Sequence, residues 1–190
     1  MNYLAHFYLS YPDKKMMVGN FIADQVKGKA FEQLSERVAN GVIHHRKIDA
    51  FTDNHPIVKQ AKRRMFGEYR HFSGVILDMF YDFFLASNWS QFSPMSLEDF
   101  SNECYQCMHE NLYEMPASSQ KIIKYMSTQD WLVHYQTISG IGEALGGISR
   151  RSSFSNQIDQ SVMLLEKYRD VYEQEFFDFF EELCQALKIS

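Results

Sequence analysis

A chain of 190 residues, 45% hydrophobic and 23% charged, has room for one domain with a sizeable core and little room for two. Its 9 Gly and 4 Pro are too few for the many tight turns of an all-β fold, while 16 Phe and 11 Tyr supply bulk for packing. A net charge of −5 argues against a general nucleic-acid binder, which carries a basic excess. The pattern predicts consecutive helices. The first covers about Asn2 to Ser10 and ends at Tyr11-Pro12, and the second runs from about Lys14 to Val26 and stops at Gly28. A long third helix is predicted from Ala30 to Asn54, with Phe31, Leu34, Val38 and Val42 at helical spacing. Pro56 suits the first turn of a fourth helix, to about Phe66, because its missing N–H is not needed there. A very apolar fifth helix spans Phe72 to Trp89. Ser96, followed by Glu98 and Asp99, opens a sixth that reaches Tyr113. Two shorter helices are expected over Ser118 to Tyr135 and Ile138 to Ser149, and a long last one over Ser155 to Leu187. Gly140, Gly142, Gly146 and Gly147 read as a loop and helix break, since no strand precedes them to make a dinucleotide-binding turn. The expected architecture is an all-α, single-domain helical bundle over residues 1–190.

Cys104, Cys107 and Cys184 are too few for a disulfide framework and suggest a reducing compartment. The pair Cys104–Cys107 lacks the further ligands of a zinc site. The N-terminal segment has no basic leader, and no apolar run approaches the ~20 residues that span a bilayer. A cytoplasmic protein with no membrane association is expected; nothing in the sequence reports its oligomeric state.

The informative feature is where acids and histidines fall. Asp78 and Asp82 are four apart in VILDMFYDFFL, on one side of a helix whose neighbouring positions are apolar. A buried carboxylate is costly unless it is paired, hydrogen-bonded or bound to a metal, so a structural ion pair is the alternative to a metal ligand here. In HHRKIDAFTD, His45 and Asp49 are likewise four apart and can reach one ion; Asp53 lies a turn further on the same broad face, and His44 points elsewhere. Imidazole with carboxylates and no thiolate suits manganese, iron or magnesium better than structural zinc. Asp24 closes GNFIAD, and His6 interrupts NYLAHFYL. Four helices thus each place a His or Asp among apolar residues, as metal sites in helical bundles do.

At these residues the chain resembles the acyl carrier protein phosphodiesterase family, a divergent branch of the HD-type metal-dependent phosphohydrolases. The resemblance rests on MNYLAH at the start, GNFIAD at 19–24, HRKIDAFTD at 45–53 and LDMFYDFFLASNW at 77–89. Weaker matches are QDWLVHY at 129–135 and the triplet Ser149-Arg150-Arg151. It implies an HD-like all-helical fold and a divalent metal, usually manganese. The implied reaction is hydrolysis of the phosphodiester joining 4′-phosphopantetheine to a serine of holo-acyl carrier protein. The matched polar residues are His6, Asp24, His45, Arg46, Asp49, Asp53, Asp78 and Asp82. The family pattern implies a histidine after Asp82, where this chain has Phe83, so either that histidine is dispensable or the activity has changed. The adjacent His-Asp pair of the wider superfamily is missing.

The mechanism expected from this likeness is metal-assisted hydrolysis. Metal ligands are sought among His6, His45, Asp49, Asp78 and Asp82, and catalytic roles among Asp24, Asp53 and Arg46. Asp53 would position water, and Arg46 would either meet the phosphodiester charge or pair with a nearby acid. An acidic carrier would need a locally basic surface, for which Lys59, Lys62 and Arg63, with Arg64 alongside and Arg70 beyond, form one stripe; Arg150 and Arg151 are a second candidate. A solvated helix face is the other reading of that stripe. Two rivals stay open: a phosphohydrolase of the same scaffold acting on another phosphodiester or a nucleotide, and a non-catalytic helical binding protein.

Overall fold

The structure, a computed structural model, describes residues 2–151 and 157–189. Among these all regular structure is helical. The main helices are α1 (Tyr3–Tyr8), α2 (Lys14–Ile22), α3 (Glu36–Asn54), α4 (Pro56–Tyr69), α5 (Ser73–Ser87) and α6 (Leu97–Glu110). They are followed by α7 (Ala117–Thr128), α8 (Trp131–His134), α9 (Ile138–Arg151), α10 (Val162–Lys167) and α11 (Arg169–Leu187). Several boundaries follow from capping. Asp13 accepts from the backbone N–H groups of Lys15 and Met16 at the start of α2, Pro56 occupies the first turn of α4, and Ser96 accepts from Asp99 N–H at the start of α6.

Four expectations are corrected. The predicted second and third helices each lose a turn to short 3-10 segments, Ala23–Gln25 and Ala30–Gln33. The predicted helix from Ser118 to Tyr135 breaks at Asp130, which adopts the left-handed conformation (φ 44°). Its carboxylate is held there by the Ser101 hydroxyl at 2.8 Å. The four glycines read as a break lie inside α9. The predicted last helix is interrupted at Tyr168 between α10 and α11; part of its predicted start, residues 155–156, lies outside the described residues.

Helix α5 runs through the core, and from Ile76 to Ala86 only Asp78 escapes full burial. It packs against α1, α4, α9 and α11. The 176–180 aromatics of α11 meet it: Phe176 lies against Tyr81 and Phe84, and Phe179 stacks on Tyr81 at 5.3 Å between ring centroids. Each such side chain contributes roughly 1.5–3 kcal/mol on full burial, which makes this seam the anchor for everything docked on α5.

Helices α2 and α3 cross closely enough that glycine is required on both. A Cβ on Gly41 would come within 2.3 Å of the Met16 carbonyl oxygen and 2.8 Å of Gly19 Cα, and one on Gly19 within 2.0 Å of the Val38 carbonyl oxygen. The contacts are with backbone, which cannot swing aside. Gly41→Ala is therefore expected to destabilise the fold by about 1–3 kcal/mol or more, the range for overpacked cores, read as a lower denaturation midpoint. An unchanged midpoint would contradict the crossing. The same crossing brings the ends of GNFIAD and HHRKID together.

Candidate metal centre

Three helices and one turn converge on a pocket of about 210 Å³. Helix α1 contributes His6, α2 contributes Asn20, the 3-10 turn after α2 contributes Asp24, and α3 contributes His45 and Asp49 one turn apart. His45 Nε2 lies 3.0 Å from Asp49 Oδ2 and 3.3 Å from Asp24 Oδ1, and His6 Nε2 lies 3.4 Å from Asp49 Oδ1. The two imidazoles stack with centroids 4.0 Å apart. One ligand atom from each of His6, His45 and Asp49 lies within 4.8 Å of the others, the one such cluster among the described residues. Both histidines are buried and Asp49 is half-buried, while Asp24, its side chain 71% exposed, sits at the mouth.

The orientation of His45 is set by Asn20. The Asn20 side-chain oxygen can only accept, so His45 Nδ1–H donates to it at 2.9 Å, and the Asn20 amide in turn donates to the His6 carbonyl oxygen at 2.9 Å. Neutral His45 then directs the lone pair of Nε2 at two carboxylates, an arrangement that demands a positive charge. Without an ion a proton supplies it: burial opposes the charge, but hydrogen bonds to Asp24 and Asp49 outweigh burial and raise the His45 pKa to about 9. His6 goes the other way, lowered to about 4 chiefly by burial, with Asp49 opposing and the His45 charge adding to the shift. It is thus a neutral donor at neutral pH. Burial acts to raise Asp49, yet hydrogen bonds from both histidines hold it below the usual carboxylate range. Asp24 is lowered, mainly by its hydrogen bond with His45. His6 Nδ1 is buried with no hydrogen-bond partner among the described residues. Two imidazoles, two low-pKa carboxylates and a demand for positive charge between them fit a divalent cation with mixed N and O ligands. Asn20 orients the His45 imidazole; if His45 holds a cation, Asn20→Ala is expected to weaken cation affinity by ~10–100-fold, the usual effect of losing such a partner. Isothermal titration with manganese checks it; unchanged affinity would contradict the role.

The remaining sequence candidates separate. Asp78 and Asp53 line the same pocket, though Asp53 is ion-paired to Lys62 at 2.7 Å. Asp82, expected as a ligand, is corrected: it is fully buried and its two oxygens accept from the backbone N–H groups of Asn2, Leu4 and Ala5 at 2.9–3.3 Å. It caps the start of α1 from 80 residues away, and burial raises its pKa to about 7 against those hydrogen bonds. Arg46 is corrected as well, since it donates to the Val26 carbonyl at 2.8 Å, lies over the Phe31 ring and does not line the pocket. His44 donates to the Leu9 carbonyl, away from the site. Phe83 is buried beneath Arg169 and outside the pocket, so the expected effect of a missing histidine there finds no contact with the cluster. On α4 and just beyond it, Lys59, Arg63 and Arg70 are exposed, Lys62 is ion-paired to Asp53, and Arg64 is clamped to Glu175 by two bonds of 2.7 and 2.9 Å. Asn2, Tyr3, Asn20 and Thr52 line the pocket without having been singled out; Asn20 stood inside the quoted GNFIAD but carries no charge to draw attention.

The model of the family "Acyl carrier protein phosphodiesterase" matches residues 1–183. Curated relatives bearing that name include one from Photorhabdus laumondii, 31% identical over 186 residues, covering 97% of this chain and 94% of the relative. One from Escherichia coli is 32% identical over 189 residues, covering 97% and 96%. One from Serratia proteamaculans is 30% identical over 189 residues, covering 99% and 98%. No solved structure matches the chain. With a family model spanning nearly its whole length and relatives at this identity, the chain belongs to the acyl carrier protein phosphodiesterase family.

Proposed function

We propose that this protein hydrolyses the phosphodiester joining 4′-phosphopantetheine to a serine of holo-acyl carrier protein, releasing apo-carrier. The observation that carries the proposal is the His6–His45–Asp49 cluster with Asp24 at its mouth, in a chain whose relatives bear that activity in their names. His6, His45 and Asp49 would hold the cation, manganese being the best fit and magnesium or iron the other candidates, with Asp24 completing the set from the open side. A divalent ion bound there supplies polarisation of the phosphoryl group and acidifies water. Water attacks phosphorus, the bond to the serine oxygen breaks, and the phosphate stays with the pantetheine arm. Asp78 and Asp53, at the pocket wall, would orient the attacking water. The proton that the water gives up passes to solvent at the open mouth of the pocket, and the serine oxygen takes up a proton from solvent as it leaves. The fold is read as a divergent relative of HD-type phosphohydrolases, with His45 and Asp49 one turn apart in place of an adjacent His-Asp pair.

The carrier is acidic, and Lys59, Arg63 and Arg70 present exposed cations on and just beyond α4 that would steer it in a salt-dependent way. No described helix is long and apolar enough to cross a membrane, and three unpaired cysteines suit the reducing cytoplasm. The test is a gel-shift or mass assay of holo-carrier with purified protein and manganese. Conversion to apo-carrier with release of 4′-phosphopantetheine is expected; turnover of other phosphodiesters or nucleotides with an untouched carrier would overturn the assignment.

A further inference from the structure

A second cavity, of about 1430 Å³, opens between α5, α7, α8 and α9. It exceeds the roughly 300–1,000 Å³ of ordinary small-molecule pockets, and its walls are mixed. Ile122, Trp131, Ile138 and Met79 supply apolar surface, while Gln129, Ser139 and His134 supply hydrogen-bonding groups. Lys121, Arg150 and Arg151 add positive charge, and Glu143 and Asp159 negative charge, so the cations outnumber the acids. Asn2 and Tyr3 line both this groove and the metal pocket, so one end of the groove adjoins the proposed site of phosphodiester cleavage.

The floor of the groove is built from glycine where packing does not require it. A Cβ on Gly142 would meet nothing within 4 Å. On Gly146 it would meet only the Arg150 guanidinium at 3.3 Å, and on Gly147 only guanidinium ends at 3.5 and 3.9 Å. Gly140 differs, because a Cβ there would strike the His134 carbonyl at 2.0 Å. Glycine inside a helix destabilises it relative to alanine, so three that pack against nothing rigid, on one wall of one cavity, keep that wall open at the expense of helix stability.

We infer that this groove is the binding channel for the pantetheine arm of the substrate, with the phosphate at the Asn2–Tyr3 end beside the metal pocket. The arm alternates amide and alkyl segments, which matches a wall of scattered polar groups on an apolar surface, and its terminal phosphate is anionic, which matches Arg150 and Arg151. The inference rests on the reading of the reaction above, and it extends that reading by naming where the leaving arm is recognised. A groove that adjoins the cleavage site at Asn2 and Tyr3 would let the arm present its phosphate there while the carrier body stays outside the 210 Å³ pocket.

The test is direct titration with 4′-phosphopantetheine in the presence of manganese, followed by the fluorescence of Trp131 in the groove wall. Wild-type protein is expected to show a saturable change. Gly142→Leu fills open space without breaking the helix and is expected to raise the Kd by about tenfold or more, as added bulk in a fitted pocket does. Arg151→Glu, at an exposed position, serves as a second variant whose folding is safe and should weaken binding similarly. Absence of saturable binding by wild type, equal affinity in both folded variants, or binding of dodecanoate without 4′-phosphopantetheine would each overturn the inference. The two readings fail separately. Saturable binding without holo-to-apo conversion would keep the groove and remove the phosphodiesterase assignment. Conversion with the same KM in wild type and Gly142→Leu would do the reverse.

Discussion

Replacing Asp49 with alanine is expected to abolish cation binding and lower kcat/KM for holo-carrier by on the order of a thousand-fold, well beyond the ~10–100-fold of losing a ligand's hydrogen-bond partner. Asp49 is the residue both histidines share, with one oxygen on each. Without it His6 and His45 have no common anion to face, and the cluster loses both a ligand and the charge that balances an ion. The pH dependence has a definite sign. Cation and proton compete for His45 Nε2, whose pKa in the ion-free protein is raised to about 9 by Asp24 and Asp49 against the opposing effect of burial. Cation affinity in the wild type should therefore fall as pH drops below about 9, one proton being released for each ion bound at His45. In the ion-free protein the raised pKa contributes stability that is present below the unfolded value near 6.5 and lost as pH rises through 9. Asp49→Ala should remove part of that contribution, so the variant is more destabilised at pH 6 than at pH 10. Melting curves at the two pH values check this; a larger loss at pH 10 would contradict it.

The second large effect is at Asp82. Asp82→Ala leaves two buried backbone N–H groups, of Leu4 and Ala5, and the part-buried one of Asn2 without their acceptor, each buried one a loss of ~1–3 kcal/mol, against a total stability of about 5–15 kcal/mol for a domain. The expected outcome is severe destabilisation, read as a collapsed denaturation midpoint. Asp82→Asn keeps an acceptor oxygen and the shape of the side chain, so it should fold with a smaller loss and still bind manganese with stoichiometry unchanged. That contrast separates the two roles a buried carboxylate can have. If Asp82→Asn folded normally but lost the ion, Asp82 would be a ligand after all, and the geometry at α1 would have been misread. Because α1 carries His6 two residues beyond the Leu4 N–H that Asp82 accepts, the cap also fixes the height at which His6 meets the cluster.

Asp78 and Asp82 show where spacing stops being informative. Four residues apart on α5, they share a face, and an acid on an apolar face signals some buried partner. The sequence does not say whether that partner is an ion or a row of N–H groups, because the row belongs to a helix 80 residues away. His45 and Asp49 were legible for the complementary reason: both partners lie on one helix, so local geometry alone brings them together. The all-helical fold was legible from periodicity and the scarcity of turn residues. Its interruptions were not. Asp130 leaves the helical region because Ser101, on another helix, holds its carboxylate. The glycines of α9 stay helical because the buried Ile141 and Leu145 on the same helix anchor it and override their poor propensity. Asn20 escaped notice because a neutral amide matters only once it is seen between His45 and the His6 carbonyl. Arg46 carries the charge a phosphate site wants, but it is spent on the Val26 carbonyl and the Phe31 ring.

The central claim is that His6, His45 and Asp49 hold a divalent cation, and metal analysis paired with thermal melting tests it most directly. Gently purified wild-type protein should carry stoichiometric metal, and its melting temperature should rise with added manganese, since an ion that binds only the folded state stabilises it. Asp49→Ala should carry none and ignore the addition. A metal-free wild type whose melting temperature does not move with manganese would contradict the account.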